Sequence, residues 1–340
     1  MPKEETAQAI QELEGKKAML KLRDYLPAMK YGAKVLPNDT LGFEPTFWGK
    51  TYWVKKSTDT DYADFRDKYD ETYDDGTHTV QTTLEAAVAA ASKNDRIILL
   101  TPDSGAHDLS DTVTITTFGL QIFGDSFDEL TQRTTIKNPT TSSGNDMFLV
   151  KADKVVFAGL TFQNRKAGKC IAIGDTAGQA YYQITVKNCN FTDYGGVATY
   201  GVAPGNMTDS GNSQVDTVNL TVRDCMFDGF VTAAIVANGT RDAYINNRII
   251  VPDSGIGIAL TKAEDSRGNG VIRGNYIQCK GTSSGIVVTN AGSAAGTHCI
   301  AENTLQGATT KITTQTYLQG YDNNEAAAAT GAKTAIDIVT

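Results

Sequence analysis

Proline is scarce in this 340-residue chain, at 8 residues, and histidine scarcer still, at 3. His78, His107 and His298 are scattered, and no cysteine or carboxylate stands beside them at ligand spacing, which leaves no basis for a zinc site. The five cysteines, Cys170, Cys189, Cys225, Cys279 and Cys299, are odd in number and contain no C-x-x-C pair. They read as reduced, buried thiols rather than a disulfide framework or a metal cluster. Long apolar runs are missing as well; Ile97 to Leu100 and Ala86 to Ala91 are the longest candidates, far short of the roughly 18 residues that suggest a membrane span. Positive charge is in deficit, 31 Lys and Arg against 39 Asp and Glu, a net −8. Such a balance argues against nucleic acid as a partner, because no basic face is available to displace phosphate counterions. The amino terminus, Met1-Pro2-Lys3-Glu4-Glu5, has no apolar core behind its charges, so synthesis and folding in a cytoplasm without a secretory signal are expected.

What is present is glycine, 32 residues, and a repeat. Six segments align when an apolar residue is placed first: Phe157 to Phe162, Val186 to Phe191, Val222 to Phe227, Tyr244 to Ile249, Ile272 to Ile277 and Ile300 to Leu305. Their starts are separated by 29, 36, 22, 28 and 28 residues, about one solenoid coil each with corner loops of variable size. The sixth place always holds a large apolar residue, from Phe162 to Leu305. The third place holds Gly159, Asn188, Asp224, Asn246, Gly274 and Glu302, mostly residues that tolerate positive φ, so a sharp bend is expected there. The fourth changes from Leu160, Cys189 and Cys225 to Asn247, Asn275 and Asn303. In a coil-upon-coil fold, equivalent side chains lie about 4.8 Å apart, and stacked asparagine amides then donate and accept along a ladder.

Upstream, Thr82 or Thr83 can cap a helix whose apolar stripe is Leu84, Ala87, Val88 and Ala91. Asp95-Arg96-Ile97-Ile98-Leu99-Leu100-Thr101-Pro102 follows, then strands at Val113 to Ile115 and Leu120 to Phe123, with Gly124 closing the unit. That opening, and Val155 to Asn164 after it, resembles pectin-lyase-like β-helices over roughly residues 79 to 310. The resemblance implies an all-β fold: a right-handed parallel β-helix with an N-terminal capping helix over the end of the core. Residues 1–78 read as an anchoring or interaction segment, 79–320 as the β-helix and 321–340 as a C-terminal tail.

The fold does not fix an activity, since lyases, hydrolases, esterases, spikes and adhesins share it. The Arg-x-Pro-x-x-Arg element of pectate-lyase-like sequences is absent, and of the polygalacturonase-like motifs only an Asp-Asp occurs, at Asp74-Asp75, outside the repeat. The pectin-methylesterase pattern is missing too. A private carboxylate pair would have to come from Asp193 and Asp228, after the apolar column, or from Asp224 and Asp253 nearby; as turn residues all four have a structural explanation. The acidic stretch Asp59 to Asp75 lacks the order of a calcium loop. No catalytic, cofactor or metal residue is assigned, and no cofactor is expected.

Residues 5–23 have partial amphipathic helical character, and Phe43 to Val54 concentrates both tryptophans. Phe47, Trp48, Tyr52 and Trp53 therefore read as contact residues, toward either the solenoid's own flank or a partner subunit. The layout is similar to tailed-bacteriophage spikes with N-terminal particle-binding regions. It implies a non-enzymatic virion surface protein, as a capsid decoration, head fibre or spike, forming a homo-oligomer such as a homotrimer and contacting capsid or tail proteins or a host surface glycan, without nucleic acid or membrane partners. A polysaccharide lyase or glycoside hydrolase is the alternative, and a glycan-binding adhesin a second.

Overall fold

Three long sheets wind around one core. The computed structural model describes residues 49–125, 134–176, 178–193, 196–205, 216–237, 239–260, 270–288, 298–307, 310–312, 318–321, 323–326 and 333–336. The first sheet has 11 strands, the second 10 and the third 8. Successive described coils pair in parallel; among the described strands one pair is antiparallel, Asn323–Ala326 with Lys333–Ile336, at the C-terminal edge of the second sheet.

From Val156 to Ile312 each coil has a strand in the first sheet, a sharp bend, a strand in the second sheet, a corner, and a strand in the third. The bend is the third place of the repeat. Its residues all adopt positive φ: 68° at Gly159, 49° at Asn188, 54° at Asp224 and Asn246, 67° at Gly274 and 56° at Glu302. Glutamate is the unexpected member, and its carboxylate is held by a bidentate pair of 2.8 Å hydrogen bonds from Arg273.

Inside, the sixth place forms an unbroken column. Phe162, Phe191 and Phe227 are in register across three coils, their rings stacked at 4.7 and 4.5 Å with interplanar angles of 5° and 3°. Ile249, Ile277 and Leu305 continue it, all buried. Facing this column across the corner is a line of small residues on the third sheet, Cys170, Gly201, Ala234, Gly257 and Gly285. The corner explains the glycine: a Cβ on Gly201 would stand 2.6 Å from Phe227 Cδ1, and one on Gly257 2.8 Å from Ile277 Cγ2.

The fourth place is a polar ladder in an apolar core. Asn247 Nδ2 donates to Asn275 Oδ1 at 3.0 Å, and Asn275 Nδ2 to Asn303 Oδ1 at 2.9 Å. Earlier coils use thiols, Cys189 and Cys225 each donating to a carbonyl at 3.1 Å, from Lys187 and Arg223. All five cysteines are free.

A strand before position 79 joins the first sheet. Thr51–Val54 lies between Val80–Gln81 and Arg96–Leu99 in the first sheet, with Tyr52 in register with Ile97. Helix α1 (Tyr62–Tyr69), unforeseen from sequence, sets Phe65 against Trp53, Val80, Ile98 and Leu100. Helix α2 (Leu84–Ala90) follows as expected, with the Thr83 hydroxyl accepting the Ala86 N–H at 3.2 Å and Leu84, Ala87 and Val88 buried in the main core. Within the C-terminal segment, Asn323–Ala326 and Lys333–Ile336 extend the second sheet. Among the described residues no helix is long and apolar enough to cross a membrane.

Candidate functional site

Of the four aromatic residues expected to make contacts, Tyr52 and Trp53 are taken up by the chain itself. Tyr52 is an inner residue of the first coil, its hydroxyl donating to Ala90 O at 3.1 Å. Burial, joined by the charges of Asp95 and Asp75, pushes that hydroxyl up to about 12. Trp53 is buried beneath α1. These two are flank contacts, with no surface left for a partner, because strand alternation sends one side chain into the core and the next under the helix. Phe47, Trp48 and the 5–23 segment lie outside the described residues.

Of the candidate acids, Asp193 and Asp228 point to opposite sides of the second sheet. Asp228 is in register with Thr192, one place beyond the inward Phe191 and Phe227, so it projects outward. Asp193 is in register with Asn164 and projects to the opposite side of the sheet. There it follows a second amide row that the repeat did not reveal, in which Asn138 Nδ2 donates to Asn164 Oδ1 at 3.2 Å. Asp253 accepts the Thr282 N–H and hydroxyl at 2.7 and 2.9 Å, which lower its carboxyl below the usual range. Asp224, on the bend, stands 3.7 Å from Arg223. Acid–base chemistry on a glycosidic bond requires two carboxyls within about 10 Å on one face, and Asp193 and Asp228 fail that on orientation.

Elsewhere the acidic stretch is engaged in structure. Asp59 accepts the Asp103 N–H at 3.2 Å, Asp103 in turn accepts the Thr60 N–H and hydroxyl at 2.7 Å, and Lys55 pairs with Asp61 at 2.7 Å. No group of three or more His, Cys, Asp or Glu able to hold a metal ion occurs among the described residues.

The outer faces of the three sheets differ in chemistry. On the third, Ala203, Ala233, Val236 and Ala259 form a buried apolar cluster flanked by Tyr200 and Ile256. On the first, Phe123, Val156, Ala158 and Lys187 are all buried. Burial, with the charge of Arg223 added, holds the Lys187 amine down at about 8. Further on, Arg223 and Arg273 reach solvent beside Asp224 and Glu302.

The second sheet presents an open polar face. One row runs in register through Thr135, Thr161, Asn190, Met226, Arg248, Tyr276 and Thr304. The parallel row runs through Lys137, Gln163, Thr192, Asp228, Ile250, Gln278 and Gln306. Arg248 is exposed and the others are half-buried. Six steps of about 4.8 Å make the face about 29 Å long. Near its C-terminal end the Tyr276 hydroxyl donates to Gln306 Oε1 on the next coil, drawing the ring along the face.

No family model and no curated protein matches the sequence. Solved structures do resemble it. A mutant pectin methylesterase in complex with a hexasaccharide is 12% identical with a TM-score of 0.51, over 85% of this chain and 92% of that one. The pectin methylesterase from Aspergillus niger is 13% identical at 0.47, over 87% and 93%, and a pectate lyase 11% identical at 0.38, over 82% and 81%. With that likeness, the parallel pairing and the stacked inner columns, the described residues form a right-handed parallel β-helix of the pectin-lyase-like kind.

Proposed function

We propose that the protein binds an extended polysaccharide along the outer face of its second sheet. The observation that carries this reading is the contrast between faces: buried, mostly apolar outer residues on the third sheet and on the early coils of the first, against a partly accessible run of mainly hydroxyl, amide and charged side chains on the second. Sugars present hydroxyls at regular intervals, and a row of short polar groups repeated at each coil can satisfy them. Tyr276 adds an aromatic face for a pyranose ring. The fold neighbours named above include an esterase with a bound hexasaccharide, which fits this reading.

Glycoside hydrolysis, within the lyase or hydrolase alternative, would need two carboxyls on one face, which Asp193 and Asp228 do not supply; the proposal stops at binding, the step that cleavage would also require. The tailed-phage surface protein, trimeric and glycan-contacting, rests on layout alone, and none of the structures named above is described as a virion protein.

Affinity electrophoresis of the full chain through gels containing neutral or acidic polysaccharides tests the proposal, with reducing-end and unsaturated-product assays in parallel. Retardation by at least one polymer is expected, weakened roughly fivefold to tenfold in Tyr276→Ala. Absence of retardation in every gel, or retardation that Tyr276→Ala, Gln163→Ala and Thr161→Ala all leave unchanged, would overturn it.

A further inference from the structure

On the second sheet's outer face, Arg248 differs from Arg223 and Arg273 on the first sheet. Arg273 is clamped by Glu302 at 2.8 Å and Arg223 stands beside Asp224, whereas Arg248, exposed, makes no ion pair among the described residues. Its register partner on the next coil is Tyr276, whose ring is tied down through Gln306. On the preceding coil its partner is Met226, apolar and half-buried. Arg248 and Tyr276 therefore lie side by side on adjacent strands about 4.8 Å apart, an exposed guanidinium and an oriented ring on one face, with no ion pair to Arg248 among the described residues.

We infer that Arg248 and Tyr276 form a subsite for a sugar ring bearing an anionic substituent, the ring against Tyr276 and the anion on the Arg248 guanidinium; the inference rests on the polysaccharide reading. Arginine's fork of donors suits a carboxylate or sulfate oxygen pair, which a lysine cannot match bidentately. The net charge of −8 opposes an anionic polymer only at long range. At physiological ionic strength exposed charges are screened beyond about 8 Å, so the local cation decides the contact.

Titration calorimetry of the full chain with matched polymers provides the test: polygalacturonate against its methyl ester, and dextran sulfate against dextran. The charged member of at least one pair is expected to bind about tenfold tighter than its neutral partner. Arg248→Gln should abolish that preference, Arg248→Lys should restore part of it, and Arg223→Gln, on another face, should leave it intact. Preference for the carboxylated pair alone, or for the sulfated pair alone, identifies the anion. Equal binding of charged and neutral polymers by the wild type, or a preference that survives Arg248→Gln, overturns the subsite while leaving the polysaccharide reading standing; no binding of any polymer removes both.

Discussion

Asn275 Oδ1 accepts two hydrogen bonds from Asn247, one from its side-chain amide at 3.0 Å and one from its backbone N–H at 2.9 Å. Asn275 repeats the pattern toward Asn303, while its Nδ2 also reaches Tyr244 O at 2.9 Å. One side chain thus satisfies two backbone groups of the preceding coil, the Asn247 N–H and the Tyr244 carbonyl. Replacing it by alanine strands the Asn247 N–H and the Tyr244 carbonyl in an apolar core.

Asn275→Ala is expected to lower stability by roughly 2–4 kcal/mol, the cost of a pair of buried unmet groups. Urea denaturation checks this. Asn275→Asp keeps the acceptor but loses the donor and faces Asn303 Oδ1, so it should be no better than alanine above pH 6.

Phe191 is sandwiched between Phe162 and Phe227. Phe191→Ala should cost about 3–5 kcal/mol, and Phe191→Leu distinctly less, because leucine refills most of the volume. Thermal unfolding of the three proteins under one buffer ranks them.

Gly201→Val would drive a side chain into Phe227 and toward the Ala234 carbonyl, which a Cβ would meet at 2.6 Å. A loss of at least about 1–3 kcal/mol is expected. Adding Phe227→Leu should recover part of it, the backbone contact remaining; full additivity of the two losses would refute the shared corner.

His107 is buried, with Nε2 2.8 Å from Leu100 O, so the neutral ring donates there. Burial lowers its basicity from the ordinary value of 6.5, Lys56 adds to the effect, and Asp59 and Asp125 oppose it weakly. Below 6.5 the unfolded chain takes up the proton more readily than the folded one. Stability is then full above 6.5 and falls with decreasing pH, at no more than about 1.4 kcal/mol per unit. Chemical denaturation between pH 5 and 7.5 should give a shallower slope for His107→Gln than for wild type.

The inner columns were legible because packing forces one residue type to recur: Phe162, Phe191 and Phe227 announce their own register, as do Asn247, Asn275 and Asn303. The second amide row, Asn138 and Asn164, escaped because it spans too few coils to stand out from ordinary turn residues, although Asn-Pro and Asn-Arg at the ends of apolar runs are its trace. For Tyr52 and Trp53 the sequence left the flank and a partner subunit both open. An aromatic cluster ahead of the repeat looks like surface until a strand divides it between two cores. The polar face was hidden because half-buried Thr, Asn and Gln on alternate positions are what any solvated strand shows; only the apolar faces beside it make it distinctive.

Asn247, Asn275 and Asn303 are spaced 28 residues apart, and each meets its neighbour through the same bonds. Excising one such interval would rejoin the chain in matching surroundings, and duplicating it would do the same. The molecule is in that sense a ruler graduated in coils, whose reach can be shortened or lengthened without redesigning its interior.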